Sequence, residues 1–244
     1  MQPVLLFDLV GTLVDEASDY EALDAAMDAA RLRFGLQDEA SALSGDFSLA
    51  LMEILRDEGE ADGEPAEFIP FERAAKDIFA AVMEVRGVEA GPEDVAWFWA
   101  TFLDAQRRLV RVHADALPAL DWSRRHGFRL GLLTDADPYF VTDVLASTGL
   151  PRRFDFVVTA AEAGEPKPGA AIFRLAMERA QAPPVQAIMV GDSYERDVLG
   201  ARAAGISRAI LVDRHRARTV RDVPIVASLA GLPNVVAKLA PGVN

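Results

Sequence analysis

Between residues 129 and 212, short apolar runs alternate with amphipathic segments, and this alternation constrains the fold more than any other feature of the chain. Arg129 to Thr134, Phe156 to Thr159, Ala187 to Gly191 and Arg208 to Val212 read as strands, with Tyr139 to Thr148, Ala170 to Arg179 and Asp197 to Ala204 as helices between them. Strands joined through helices run parallel with right-handed crossovers, so their C-terminal ends share one edge of the sheet. Ligands of open α/β sheets bind at that edge. Val4-Leu5-Leu6-Phe7, bounded by Pro3 and a Gly-Thr turn, has the pattern of a further strand covered on both faces.

Between that first strand and residue 110 the period changes to that of helices. Leu23, Met27, Ala30 and Phe34 recur at three-to-four spacing before Gly35, a glycine stop. Leu51, Ile54 and Leu55 mark a second helix, and Phe71, Ala75, Ile78, Phe79 and Val82 a third; the acidic, turn-rich stretch from Glu58 to Glu67 between them reads as a solvated loop. After a break from Gly87 to Pro92, a long helix turns Val95, Phe98, Trp99, Phe102 and Leu103 inward. The expected domain map is a sheet domain over 1–15 and 111–244, interrupted by a helical insertion over 16–110. The chain's 244 residues, 51% of them hydrophobic, suffice for a large core domain with a smaller one inserted.

A net charge of −13 sets the chain against binding nucleic acid or an anionic membrane, since both would be repelled at long range. It has no cysteine, hence no disulfide, thiol nucleophile or cysteine-type zinc site. Its three histidines, His113, His126 and His215, stand far apart and in no metal-ligand spacing. With no charged leader ahead of the first strand and no apolar run of membrane-spanning length, a soluble cytoplasmic protein is expected, as a monomer or a homodimer. Only three of the 25 cationic residues are lysines, Lys76, Lys167 and Lys238. A lysine kept in such a chain is informative.

The chemistry collects at strand ends. Asp8 follows the first apolar run directly, a costly place for a charge unless a cation or backbone N–H groups hold it. Leu130-Gly131-Leu132-Leu133 runs into Thr134, and Ile188-Met189-Val190 into Gly191-Asp192-Ser193, with Asp197 five residues after Asp192. On one shared edge, Asp8 and Asp192 would repel unless a divalent cation lay between them, and all-oxygen ligation favours magnesium. Asp8 and Asp192 oxygens more than about 8 Å apart would defeat this reading, since each reaches only about 2.1 Å to a common ion. Lys167, flanked by prolines in Glu165-Pro166-Lys167-Pro168, offers a cation to the carboxylates or to an anionic substrate.

Asp8-x-x-Gly11-Thr12, the strand ending in Thr134, Lys167 before a proline, and Gly191-Asp192-Ser193-x-x-x-Asp197 together resemble the four ordered motifs of the haloacid dehalogenase-like (HAD) hydrolase superfamily. The resemblance is to its phosphatase type with a helical C1 cap. It implies a Rossmann-like parallel α/β core with an inserted all-helical cap acting as a lid, and a small phosphorylated or otherwise anionic substrate. It also implies that Asp8 attacks phosphorus to form an aspartyl-phosphate, that Thr12, Thr134 and Lys167 bind the substrate, and that Thr134 and Lys167 take part in catalysis. Asp8, the Val10 backbone carbonyl and Asp192 would ligate Mg2+, with Asp197 in the surrounding shell, holding the metal's water or Lys167.

Val10 departs from the pattern. Phosphatases of the superfamily usually place a second aspartate there, which protonates the leaving group, and valine cannot. Positioned acid–base groups contribute about 10²–10⁴-fold, so alkyl phosphates should react slowly and aryl or acyl phosphates suffer less. Asp135, Asp137, Tyr194 or a cap residue are candidate replacement donors. Dehalogenases of the superfamily also lack the second aspartate but need no metal, which the acidic pair Asp192 and Asp197 disfavours. Phosphonate-cleaving relatives use a cap lysine; Lys76, the only lysine of the insertion, reads as a surface residue. A phosphometabolite-binding protein without turnover is a further alternative. Asp15 is expected to cap the first helix, and Arg107, Arg108 and Arg111 suit either a substrate anion or a solvated face.

Overall fold

The structure is a computed structural model that describes residues 2–60, 69–217 and 219–239. Glu58 to Glu60 close a helix, and the rest of the acidic stretch to Glu67 lies outside the described residues. The chain divides into two compact units, Met1–Asp15 with Arg111–Asn244, and Glu16–Val110.

The first unit is built on a six-stranded parallel sheet. Its strands are β1 (Val4–Phe7), β2 (Arg129–Thr134), β3 (Phe156–Thr159), β4 (Ala187–Gly191), β5 (Arg208–Val212) and β6 (Ile225–Val226), in the order β3-β2-β1-β4-β5-β6. Five of these coincide with the strands expected from sequence. The two-residue β6 is too short to show a period. Every residue of β1 and β4 is buried, as expected of central strands covered on both faces. Strand order reverses beside β1, which pairs with β2 on one side and β4 on the other, with Phe7 opposite Val190. Crevices of doubly wound sheets open at such a reversal, here between the C-terminal ends of β1 and β4.

The second unit contains α1 (Ala17–Phe34), α2 (Ala40–Glu60), α3 (Phe71–Glu84) and α4 (Pro92–Leu109). Gly35 ends α1 in the left-handed region, φ +66°, its N–H returned to the Arg31 carbonyl. The unit's core is aromatic: Phe79 and Phe98 stack with centroids 4.1 Å apart, and Trp99 and Phe102 are buried beside them, while Val95 and Leu103 are half-buried. Lys76 pairs with Glu72 at 2.5 Å and lies 5.6 Å from the Trp99 ring.

The helices of the first unit are α5 (Ala116–Arg125), α6 (Ala160–Ala163), α7 (Ala170–Ala180), α8 (Gly200–Ala203) and α9 (Leu232–Leu239). Two of its expected helices are corrected. Tyr139 to Thr148 forms a π-helical turn, Phe140–Val144, followed by a 3-10 turn, Ala146–Thr148. The segment expected as a helix from Asp197 begins earlier, as a π-helical turn over Tyr194–Leu199 that leads into α8. A one-residue widening of a turn leaves the apolar spacing almost intact, so periodicity does not reveal it. Among the described residues, no helix is long and apolar enough to cross a membrane.

Candidate active site

Asp8 leaves the end of β1 with its N–H donated to the Val190 carbonyl at 2.9 Å, which ties the residue to β4. The next residues wind into a tight turn in which Leu13 N–H and Val14 N–H both reach the Leu9 carbonyl, at 2.8 and 2.9 Å. Gly11 takes φ +83° in this turn, and a Cβ there would stand 2.5 Å from Asp192 Oδ2. Glycine is therefore required twice, for the backbone angle and for the space the Asp192 carboxylate fills.

β4 delivers Asp192 beside that turn. One carboxylate oxygen from each of Asp8, Asp192 and Asp197 lies within 4.8 Å of the others. The separation that would have defeated a shared ion is absent. Thr12, fully buried, donates from Oγ1 to Asp192 Oδ1 at 3.2 Å, a contact its sequence position did not announce.

Lys167 is buried at 4% exposure, and its ammonium donates to Asp8 Oδ1 at 2.5 Å and to Asp197 Oδ1 at 2.6 Å. Its backbone N–H donates to Asp135 Oδ1 at 2.8 Å, so the carboxylate that follows Thr134 fixes the loop carrying the lysine. Burial alone would depress the lysine's pKa; Asp197, Asp8 and Asp135 outweigh it and hold the ammonium above its ordinary value. Burial pushes the Asp8 carboxyl up to about 6, opposed by Lys167 and reinforced by Asp192. Asp192 and Asp197 are raised too, in each case chiefly by burial. Three carboxylates with raised pKa values around one lysine leave an excess of negative charge that a cation would relieve.

The donor set fits a hard divalent ion. Asp197 has both oxygens engaged, Oδ1 by Lys167 and Oδ2 by the Ser193 N–H at 3.0 Å, which leaves Asp8 and Asp192 as the carboxylates open to direct ligation. Thr134 is buried at the end of β2, its Oγ1 accepting the Ala136 N–H at 3.1 Å. Val10 is half-buried and bridges to Val14 in the turn.

Three further residues of this edge engage it through contacts that no sequence motif marks. Arg214, just past β5, donates to the carbonyls of Gly11 and Thr12 at 3.3 and 2.6 Å and makes a two-pronged pair with Asp115 at 3.0 Å on each prong. Asp115 also accepts the Leu229 N–H at 2.8 Å; burial pushes its carboxyl up, and Arg214 brings it below the usual range. Arg196 stands 3.6 Å from Asp135 Oδ2. Asp213-Arg214 at a strand end was the available signal for the first pair. Tyr194 donates to Asp222 at 2.9 Å, which occupies its proton. Asp15, just ahead of α1, pairs with Arg111 at 3.1 Å.

The central strands of this parallel sheet thus end in acidic side chains gathered at the edge where such sheets bind ligands. A sequence model described as haloacid dehalogenase-like hydrolase matches residues 3–205, and the chain belongs to that family. Phosphoserine phosphatase of Thermus thermophilus is 38% identical over 109 residues, which are 45% of this chain and 43% of that protein. The chain thus aligns with less than half the length of this relative. Among solved structures, a HAD phosphatase from Thermococcus onnurineus superposes with a TM-score of 0.67 at 26% identity, covering 96% of this chain and 97% of that one. A 2-haloacid dehalogenase from Pseudomonas syringae pv. Tomato DC3000 superposes with a TM-score of 0.73 at 25% identity, over 98% and 100% of the two chains.

Proposed function

We propose that this hydrolase is a magnesium-dependent phosphatase of small phosphomonoesters. The observation that carries the reading is the Lys167 ammonium bridging Asp8 and Asp197 while Asp192 stays close enough to share an ion with Asp8. Asp8, the Val10 carbonyl and Asp192 would hold the Mg2+, and Asp197 would hold Lys167. The bound ion supplies charge neutralisation for the phosphoryl oxygens and for the pair of carboxylates.

An Asp8 carboxylate oxygen attacks phosphorus, the bond to the leaving oxygen breaks, and that oxygen departs with its electron pair. Thr134 donates its hydroxyl to a phosphoryl oxygen and Lys167 balances the charge. Water then attacks the aspartyl-phosphate, releasing phosphate and restoring Asp8. Val10 supplies no proton to the departing oxygen, and Tyr194 is turned to Asp222. Turnover is therefore fastest where the leaving group is stable as an anion.

The test is phosphate release from phenyl phosphate and from an alkyl phosphate, with and without Mg2+, beside a 2-chloropropionate control. Release from phenyl phosphate that needs Mg2+ and is lost in Asp8→Asn is expected, with Val10→Asp raising the alkyl rate about 10²-fold or more. Chloride release without metal would replace this reading by dehalogenation, which the solved dehalogenase and the apolar Val10 favour. No turnover of either substrate would leave a binding protein.

A further inference from the structure

We propose that Arg196 is a substrate-binding residue that selects phosphomonoesters carrying a second anionic group; this rests on the phosphatase reading and narrows its substrate class. Arg196 immediately precedes Asp197 on the π-helical turn, with its N–H donated to Ser193 Oγ at 3.2 Å, so the turn that aims Asp197 at Lys167 also sets Arg196 at the sheet edge. Its side chain is half-exposed, and its ion pair with Asp135 is long, 3.6 Å, beyond hydrogen-bond distance. Such a pair contributes little and is readily exchanged. Asp135 itself is not free to follow, because its other oxygen holds the Lys167 backbone.

The guanidinium also lies within electrostatic range of Asp8, Asp197 and Asp192. Counting formal charges, Asp8, Asp135, Asp192 and Asp197 against Lys167 and Arg196 leave −2, which a divalent ion cancels. A phosphoryl dianion then restores an excess of negative charge, and a substrate with a further carboxylate would be disfavoured unless a cation received it. Arg196 is a cation at this edge whose fork is not already committed, whereas Lys167 is buried between two carboxylates and Arg214 is held by Asp115 and two carbonyls. A planar fork of N–H donors matches a carboxylate or phosphate in two-pronged fashion, which a point charge does not.

The experiment is isothermal titration, in the presence of Mg2+, of the full chain with phosphonoacetate and with ethylphosphonate, which differ only in a carboxylate replacing a methyl group. A charge-assisted hydrogen bond of about 1.5–3 kcal/mol corresponds to about 10–100-fold in affinity, so the wild type is expected to prefer phosphonoacetate by that factor. Arg196→Gln is expected to cut the preference to within about threefold, and Arg196→Lys to retain an intermediate value because it keeps charge without the fork. Equal affinities in the wild type, or a preference unchanged in Arg196→Gln, would overturn the assignment. A general loss of structure would weaken both ligands together and leave their ratio unmoved. Because the readout is binding, it stands apart from the phenyl phosphate assay, whose failure would remove the phosphatase reading.

Discussion

Replacing Lys167 by methionine isolates the electrostatics of the site. Methionine fills similar length without charge, so the variant leaves Asp8 and Asp197, both almost fully buried, stripped of the ammonium that reaches them at 2.5 and 2.6 Å. Breaking a buried pair by removing one partner costs about 3–5 kcal/mol, because the surviving charge is left uncompensated, and here two charges survive. The loss depends on pH in a defined direction. Asp8 already sits at about 6 in the folded protein against 3.8 unfolded, so its contribution to stability is present below 3.8 and is lost as pH rises through 6. Without Lys167 the folded value moves higher still, and the variant falls further behind the wild type at pH 8 than at pH 5, where the carboxylates take up protons. Urea unfolding in EDTA at the two pH values, followed by circular dichroism, measures the difference. A loss below about 1 kcal/mol at pH 8, the scale of an exposed ion pair, or a larger loss at pH 5 than at pH 8, would refute the account.

Gly11→Ala is expected to fold with a loss of about 1–2 kcal/mol from its left-handed backbone and to disturb Asp192, whose oxygen stands 2.5 Å from the new Cβ. The rise in melting temperature on adding Mg2+ should shrink or vanish relative to the wild type; an undiminished rise would contradict it. In the helical unit, Asp19 is pushed up to about 6 by burial, against a 3.1 Å hydrogen bond from Gln106 Nε2, while Gln106 Oε1 is buried without a partner. Its stabilising effect is present below 3.8 and is lost as pH rises through 6. Asp19→Asn should therefore raise stability at pH 8 by up to about 3 kcal/mol, from two pKa units at 1.36 kcal/mol each, and the gain should fade towards pH 4. A gain that grows on acidification would show the opposite linkage.

Much of this protein is decided locally. Runs such as Val4-Leu5-Leu6-Phe7 and Leu130-Gly131-Leu132-Leu133 have the pattern of strands covered on both faces, and helices between parallel strands put every C-terminal strand end on one edge. Asp8, Thr134 and Asp192 at that edge, and a lone lysine between prolines, were therefore legible as a site before any coordinate. Only tertiary structure decided how these groups engage one another: that Lys167 reaches Asp8 and Asp197 together, that Thr12 turns to Asp192, that Arg214 and Asp115 clamp the turn after β1, and that Arg196 stands beside Asp135. The physical reason is range. Strand and helix patterns are set by neighbours within a few residues, whereas these contacts join residues separated by as many as 203 positions and depend on strand order and on where each turn releases its side chain.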